Sequence, residues 1–460
     1  MRFLLGLVLA AALVAGGAFL YAGQLPGPDI QIVKPEKFVG QTTTVEVTIS
    51  APEAQWAGDF QVAFEQNGKQ TPLVSFAQPA NAEIKPDGPG KVRITRSFGR
   101  DVVSDLKTGP ARIVVTAQRP VLFGLRKTSS TASKDVQVRL ERPQIAVLST
   151  KHYVNLGGSE MVVYRATPAD VESGVQVGDL KYPGYPASGA KIEGVNITDP
   201  AVKIAFFALR YDQDVNTPMY AFARDEAGNT ARADFDRLTF TKPFKKSRIE
   251  LDDKFIERVV PAILDTTTEV NPQGTTLEKF VAINSELRRK NAEKIASFAK
   301  DSAPEILWGG TAFHPFTNSA VESAFADQRT YIYKGKDVDR QTHLGFDLAR
   351  VVNTPIVAGN RGKVVFAGPL GIYGNTVILD HGMGVQSLYA HLSSIGTQVG
   401  QMVEKEQELG RSGMTGMAGG DHLHFTLLVN GQMVNPVEWW DSHWIQDRIL
   451  RKLKEASSGS

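Results

Sequence analysis

The chain has no cysteine among its 460 residues, and that absence removes several chemistries at once. Without thiols there is no disulfide framework, no thiol nucleophile, no Cys-ligated zinc and no lipidated N-terminal cysteine. An excess of one charge is also missing: 51 Lys and Arg stand against 49 Asp and Glu. No global basic footprint exists, so nucleic acid is not an expected partner. Any metal must be held by histidine and carboxylate. Histidines are few, only 8, yet five of them fall between His343 and His424.

Charge is lacking at the N-terminus too. After Arg2, the run from Phe3 to Ala22 contains no charged residue, and about twenty apolar or small residues can span a bilayer. Gln24-Leu-Pro-Gly-Pro28 cannot continue a helix. A cleaved signal normally has a shorter apolar region, so residues 1–23 are read as a retained membrane anchor, with secretion after signal cleavage as the alternative. A positive charge ahead of the apolar run leaves the remainder outside the cytoplasm, in the cell envelope or periplasm.

Length alone suggests about three domains. From Ile30 the pattern is that of short strands. Thr42–Ser50 alternates polar and β-branched residues, Asp59–Glu65 leads into Asn67-Gly68, a favoured hairpin turn, and Lys91–Arg96, Ala111–Thr116 and Lys134–Leu140 alternate likewise. Residues 30–141 are expected to form an immunoglobulin-like sandwich. A second such module is expected over 142–245, with strands at Met161–Tyr164, Ala201–Ala208 and Pro218–Arg224. Its phrase Asp225-Glu-Ala-Gly-Asn-Thr230 resembles the terminal hairpin of bacterial immunoglobulin-like domains.

Over 246–304 the period becomes helical. Phe255, Ile256, Val259, Val260, Ile263 and Leu264, then Leu277, Phe280, Val281, Leu287, Ile295 and Phe298, predict two helices, with Thr275 or Thr276 as an N-cap and Pro261 as a source of a kink. This is expected to be a helical spacer. Strands return from Trp308, among them Gly362–Gly368, Gly374–Asp380, Gly384–Ala390 and His422–Val429, and define an antiparallel β domain over 305–440. Tyr331–Arg340 reads as a loop on its rim. Residues 441–460 form a short amphipathic helix and a tail. The fold class is therefore mainly β: two sandwich modules, a helical spacer and a C-terminal antiparallel β domain.

The chemistry gathers in that last domain. On a strand, residues two apart share a face, so His422 and His424 project together while Leu423 packs behind them. A lone His-x-His is commonly a surface pair, and its company decides otherwise. His343 and Asp347 are four apart around Gly345, a spacing that can converge two ligands from a loop entering a strand. His391 follows a strand ending Leu388-Tyr-Ala390. Two histidines and a carboxylate with an open fourth position are a recurring catalytic zinc set.

Together the pieces resemble a known family, the LytM or lysostaphin-type (M23) zinc metallopeptidases that cut peptidoglycan peptides. The motifs run His-x-x-x-Asp, Tyr389-Ala-His-Leu392, then a glycine-rich approach to His422-Leu-His-Phe425, and the likeness covers roughly residues 308–440. Pro355–Gly368, Gly374–His381 and Gly410–Gly416 also carry it. The resemblance implies that His343, Asp347 and His424 hold one Zn2+ per chain. It also implies that His391 and His422 are the catalytic pair. It further implies a peptidoglycan peptide as substrate, with an envelope regulatory protein as a possible partner. His381 falls in the pattern but not among its ligands, and is read as structural. Departures are Asp421 where proline is common, Glu406 where glycine is usual, and Phe325-Ala-Asp-Gln-Arg329 as a variant of Phe-Gly-x-Arg. Some members of the family lack zinc ligands and activate other wall hydrolases. All five residues stand here, which favours the enzyme over that regulatory alternative.

Overall fold

The alternating strands of the first half bury one face each, and that is what builds its core. In the computed structural model, residues 2–52, 58–79 and 81–458 are described, with side chains from residue 6 onward. The chain divides into two compact units, one comprising Met1–Pro143 with Arg224–Thr230 and the other Gln144–Ala223 with Ala231–Ser460. The protein is mainly β, ending in an antiparallel β domain.

In the first unit, a four-stranded sheet orders Asp29–Lys34, Thr42–Ser50, Lys91–Gly99 and Glu83–Pro86, and a five-stranded sheet orders Phe38–Val39, Arg126–Val138, Gly109–Val121, Asp59–Gln66 and Lys69–Ser75. Val47, Ile49, Ile94 and Phe98 from one sheet share a core with Val62, Phe64, Ile113, Val115 and Val136 from the other. Asn67 and Gly68 turn the Asp59–Gln66 hairpin with φ 52° and 76°, the left-handed pair that such a tight turn needs. Ahead of the sheets, Arg2–Ala22 is a helix of 21 residues. Met1 and the side chains through Leu5, on which the expected anchor partly falls, lie outside the described residues. Among those described, no helix is long and apolar enough to cross a membrane.

The second unit has one continuous apolar core running from Val154 to Ala456. Its N-terminal part holds two four-stranded sheets, one centred on Ser159–Thr167 and Val202–Ala208, the other on Glu172–Val177 and Met219–Arg224. The helices follow. Asp252 caps Asp253–Leu264 by accepting from the Phe255 amide, and Pro261 lies inside that helix. Thr275 caps Thr276–Ala282 in a capping box with Glu278.

Two features correct the sequence reading here. The segment assigned as helical spacer opens with a strand, Lys246–Leu251, which pairs in parallel with Asp327–Tyr333. The expected rim loop at Tyr331–Arg340 is instead a hairpin, Asp327–Tyr333 against Lys336–His343, turned at Lys334 and Gly335 with φ 49° and 77°. Its polar, half-exposed strands and Lys-Gly turn hide the usual alternation.

The largest sheet runs Ala320–Ser323, Phe346–Ala349, Leu423–Val429, Val385–Leu392, Asn375–Gly382, Gly362–Pro369, Met402–Val403, with Gln432–Val434 added beside Leu423–Val429. Phe425, Leu427, Leu388, Ile378 and Val364 are buried in it. This sheet carries Asp347, His391 and His424; His422 immediately precedes its strand Leu423–Val429, and His343 ends Lys336–His343 of the three-stranded sheet.

Candidate active site

The register of four strands sets the site. Asp347 pairs directly with His424, Ala390 pairs with His424 from the other side, and His343 ends the strand opposite Asp327. Gly345 is required by space rather than by φ: a Cβ there would lie 2.5 Å from His424 Cε1 and 2.5 Å from Thr426 Oγ1. The pattern His-Leu-Gly-Phe-Asp thus keeps glycine where the imidazole of His424 passes.

His343 Nε2, His424 Nδ1 and Asp347 Oδ1 converge, at 2.9 Å between His343 and Asp347, 3.0 Å between the two imidazoles and 3.0 Å between His424 and Asp347. The outer nitrogens decide which atoms carry protons. His343 Nδ1 donates toward Ser323 Oγ at 3.2 Å and the Ala324 carbonyl at 3.3 Å. Thr426 Oγ1 spends its hydrogen on the Leu344 carbonyl at 2.8 Å, so His424 Nε2, 3.0 Å away, must donate to it. Each imidazole therefore turns an unprotonated nitrogen inward. Two lone pairs and a carboxylate oxygen facing one point without a proton between them fit a divalent cation, and the N2O set suits zinc.

Asp347 is fastened from behind. Its Oδ2 accepts from Arg329 Nη2 at 3.0 Å, and Arg329 Nε also meets Asp327 Oδ2 at 3.4 Å. Burial alone would raise the Asp347 carboxyl, but positive charge at the cluster, carried on the imidazoles of His343, His422 and His424 when no cation takes its place, outweighs it and holds the group well below the usual carboxylate range. Arg329 was visible in the sequence only as the end of a variant Phe-Gly-x-Arg phrase. Ser323 and Thr426, which orient the two imidazoles, gave no signal.

The remaining two histidines stand beside this cluster. His391 Nδ1 donates to the Thr415 carbonyl at 2.8 Å and His422 Nδ1 to the Gly420 carbonyl at 2.9 Å. Their rings are 4.9 Å apart, centre to centre, and His422 Nε2 lies 3.4 Å from Asp347 Oδ1. His391 has φ 63°, the left-handed region that a β-substituted residue rarely adopts, and it sits where the pairing with Asn375–Gly382 shifts register. Backbone strain at this residue marks a position that aims its side chain. Burial, followed by the neighbouring His422 and His424, holds His391 well below its ordinary value. Burial also pulls His422 down, but Asp347 outweighs it and the net shift is upward. His381 contrasts with both: its two nitrogens engage the Arg361 carbonyl and Ser387 Oγ, both at 2.7 Å, and it faces no site.

A groove of about 770 Å³ opens over the five residues. One of its walls comes from well before the histidine motifs. Lys254, Arg258 and Arg288 line it; Arg258 Nη2 donates to the Ala418 carbonyl at 2.7 Å, and Arg288 Nη2 meets Met417 Sδ at 3.8 Å. Periodicity identified the helices that carry them but could not place them at the site.

Residues 341–436 match Peptidase family M23. A "DD-carboxypeptidase/endopeptidase Mpg" of Neisseria meningitidis serogroup B is 43% identical over 129 residues, 28% of this chain and 29% of that protein. The "Peptidoglycan DD-endopeptidase ShyA" of Vibrio cholerae is 38% identical over 96 residues, 21% of this chain and 22% of that protein. The chain thus spans less than a third of the length of these relatives. A "zinc containing peptidase from vibrio cholerae" is similar over 90% of this chain and 85% of its own, at TM-score 0.26 and 12% identity, too low a likeness to carry a conclusion.

Proposed function

We propose that this chain, which carries a Peptidase family M23 domain at its C-terminus, is a zinc-dependent endopeptidase. Its substrates are the crosslinks or stem peptides of bacterial peptidoglycan. The observation that carries the reading is the convergence of His343 Nε2, His424 Nδ1 and Asp347 Oδ1, with the outer nitrogens of both imidazoles committed as donors. Relatives named as peptidoglycan DD-endopeptidases support the substrate class.

When bound there, zinc supplies a Lewis acid and an acidified water. The chain supplies the rest. Arg329, bonded to Oδ2, keeps Asp347 turned so that Oδ1 faces the two imidazoles. His391 and His422 form the proton-transfer pair, one accepting and returning a proton, the other stabilising the charge that develops on the peptide oxygen. The groove binds the peptide and keeps water from it. Arg258 and Arg288, which have no carboxylate partner among the described residues, are placed to receive a carboxylate of a stem peptide. Residues 1–23 anchor the chain in a membrane and leave the site in the cell envelope.

The test is to purify the full chain, measure zinc per chain, and follow release of peptides from purified cell walls for wild type and His391→Ala. One zinc per chain is expected, with release falling about 10²–10⁴-fold in the variant. Stoichiometric zinc with no release from walls under any condition would overturn the hydrolase reading.

A further inference from the structure

The longest hairpin of the first unit ends in a tip that no part of the enzyme chemistry uses. Gly109–Val121 and Arg126–Val138 pair residue for residue from Gly109 with Val138 to Val121 with Arg126. The neighbouring strand Asp59–Gln66 accompanies the hairpin only from Arg112 to Gln118. Arg119 to Val121 and their partners therefore run on past it, about 10 Å of ribbon at ~3.4 Å per residue.

The turn that closes the ribbon is costly and apolar. Leu122 and Phe123 take φ 51° and 54° ahead of Gly124 at 88°, a backbone that Leu and Phe rarely adopt. Its result is to expose large apolar side chains: Phe123 is 103% and Leu125 74% exposed. A turn that accepts strain in order to hold phenylalanine and leucine in solvent marks a contact surface.

Charge indicates what that surface meets. Arg126 and Lys127 follow the turn directly, pairing with Val121 and Pro120, and the sequence from Leu106 to Lys134 contains no acidic residue. Arg126 also ties the hairpin to the apolar N-terminal helix: its Nη1 donates to the Phe19 carbonyl at 2.5 Å, and its guanidinium lies 4.7 Å over the Phe19 ring. That helix exposes Leu13, Val14, Leu20 and Tyr21. An apolar tip, an apolar helix beside it and the cations Arg126 and Lys127 next to the turn match the layers of an anionic bilayer, hydrocarbon within and phosphate at the edge.

We infer that the Leu122–Leu125 tip inserts into the lipid bilayer that receives the N-terminal helix, with Arg126 and Lys127 at the level of its anionic headgroups. The inference rests on the membrane reading of residues 1–23. It gives the first unit a second point of membrane attachment and so a fixed orientation on the surface, which a single helix followed by Gln24–Pro28 does not provide.

The absence of cysteine makes the test direct, because one introduced thiol is unique. The full chain carrying Phe123→Cys, and separately Leu125→Cys with Phe123 retained, is labelled with an environment-sensitive fluorophore. It is then reconstituted in vesicles of phosphatidylethanolamine and phosphatidylglycerol that contain nitroxide lipids. Asn67→Cys, at the turn on the opposite end of the sheet, is the control. At 123 and 125 the label is expected to shift to the blue, to be quenched by the lipid nitroxides and to resist aqueous iodide; at 67 the reverse is expected. Removing phosphatidylglycerol, or making Arg126→Gln with Lys127→Gln, should weaken the lipid quenching. Vesicles that float with the chain while labels at 123 and 125 stay open to iodide would overturn the tip alone. A chain that does not float with vesicles at all would overturn the membrane reading and the tip together.

Discussion

Glu160 and Lys452, both closed to solvent, form an ion pair at 2.8 Å, whereas His343, Asp347 and His424, also buried in the same unit, form a cluster whose inward atoms are all acceptors. In the first group the two charges are met within the protein. Glu160 Oε1 accepts from Lys452 Nζ and the Met161 amide, its Oε2 accepts from the Tyr153 amide, and Lys452 also donates to the Met161 carbonyl. In the second group the outer valences are met and the inner ones are left facing each other. Buried polarity that is complete holds segments together, here the C-terminal helix Arg451–Ser458 and the strand Ser159–Thr167. Buried polarity left with converging lone pairs is prepared for a ligand.

The contrast breaks most sharply at the metal cluster. His424→Ala is expected to lose stoichiometric zinc and all wall-peptide release, while His391→Ala should keep its zinc and lose about 10²–10⁴-fold in rate, read by metal analysis beside the release assay. If His391→Ala lost the metal as well, the division between ligands and proton carriers would be wrong. At the closed cluster, Lys452→Met alone should cost about 3–5 kcal/mol by leaving Glu160 unpaired, and Glu160→Leu with Lys452→Met should recover most of that loss in denaturant titrations.

Glu438 gives a pH-dependent version of the same comparison. Its carboxylate accepts from Asn155 Nδ2 and the Ser159 amide, both at 2.8 Å, yet burial pushes it up to about 7. Its folded value lies above the unfolded one, so its stabilising contribution is complete below about 4.5 and is lost as pH rises toward 7, on the order of 3 kcal/mol in all. Glu438→Gln should flatten that part of the stability profile, and an unchanged profile would show that the carboxyl titrates normally. The smallest effect is expected behind the metal: Arg329→Gln should weaken zinc affinity about 10–100-fold, measured by chelator competition, with the thermal midpoint of the zinc-free chain little altered.

Much of the site could be read from residue order alone. His422 and His424 had to share a face if they lay on a strand, and both approach the same Asp347 oxygen. The helices of the spacer followed from their apolar period, and of the two threonines offered as a cap, Thr275 is the one used. The strand Lys246–Leu251 did not follow, because six residues of mixed character take their conformation from the strand they pair with. Nor did the Lys452 and Glu160 pair, which joins residues 292 positions apart, or the delivery of Arg258 and Arg288 to the groove.

By itself the sequence determined the residue types and local spacings: an N-terminal apolar run, alternating strands, helical periods, and five histidine and aspartate positions in a fixed order. These are properties of near neighbours, set by side-chain period and turn chemistry. Tertiary structure alone decided which nitrogen of each histidine faces inward, that Arg329 holds the far oxygen of Asp347, and which distant helices wall the groove. Those outcomes depend on the partners each buried polar atom finds, and burial makes every such partner obligatory.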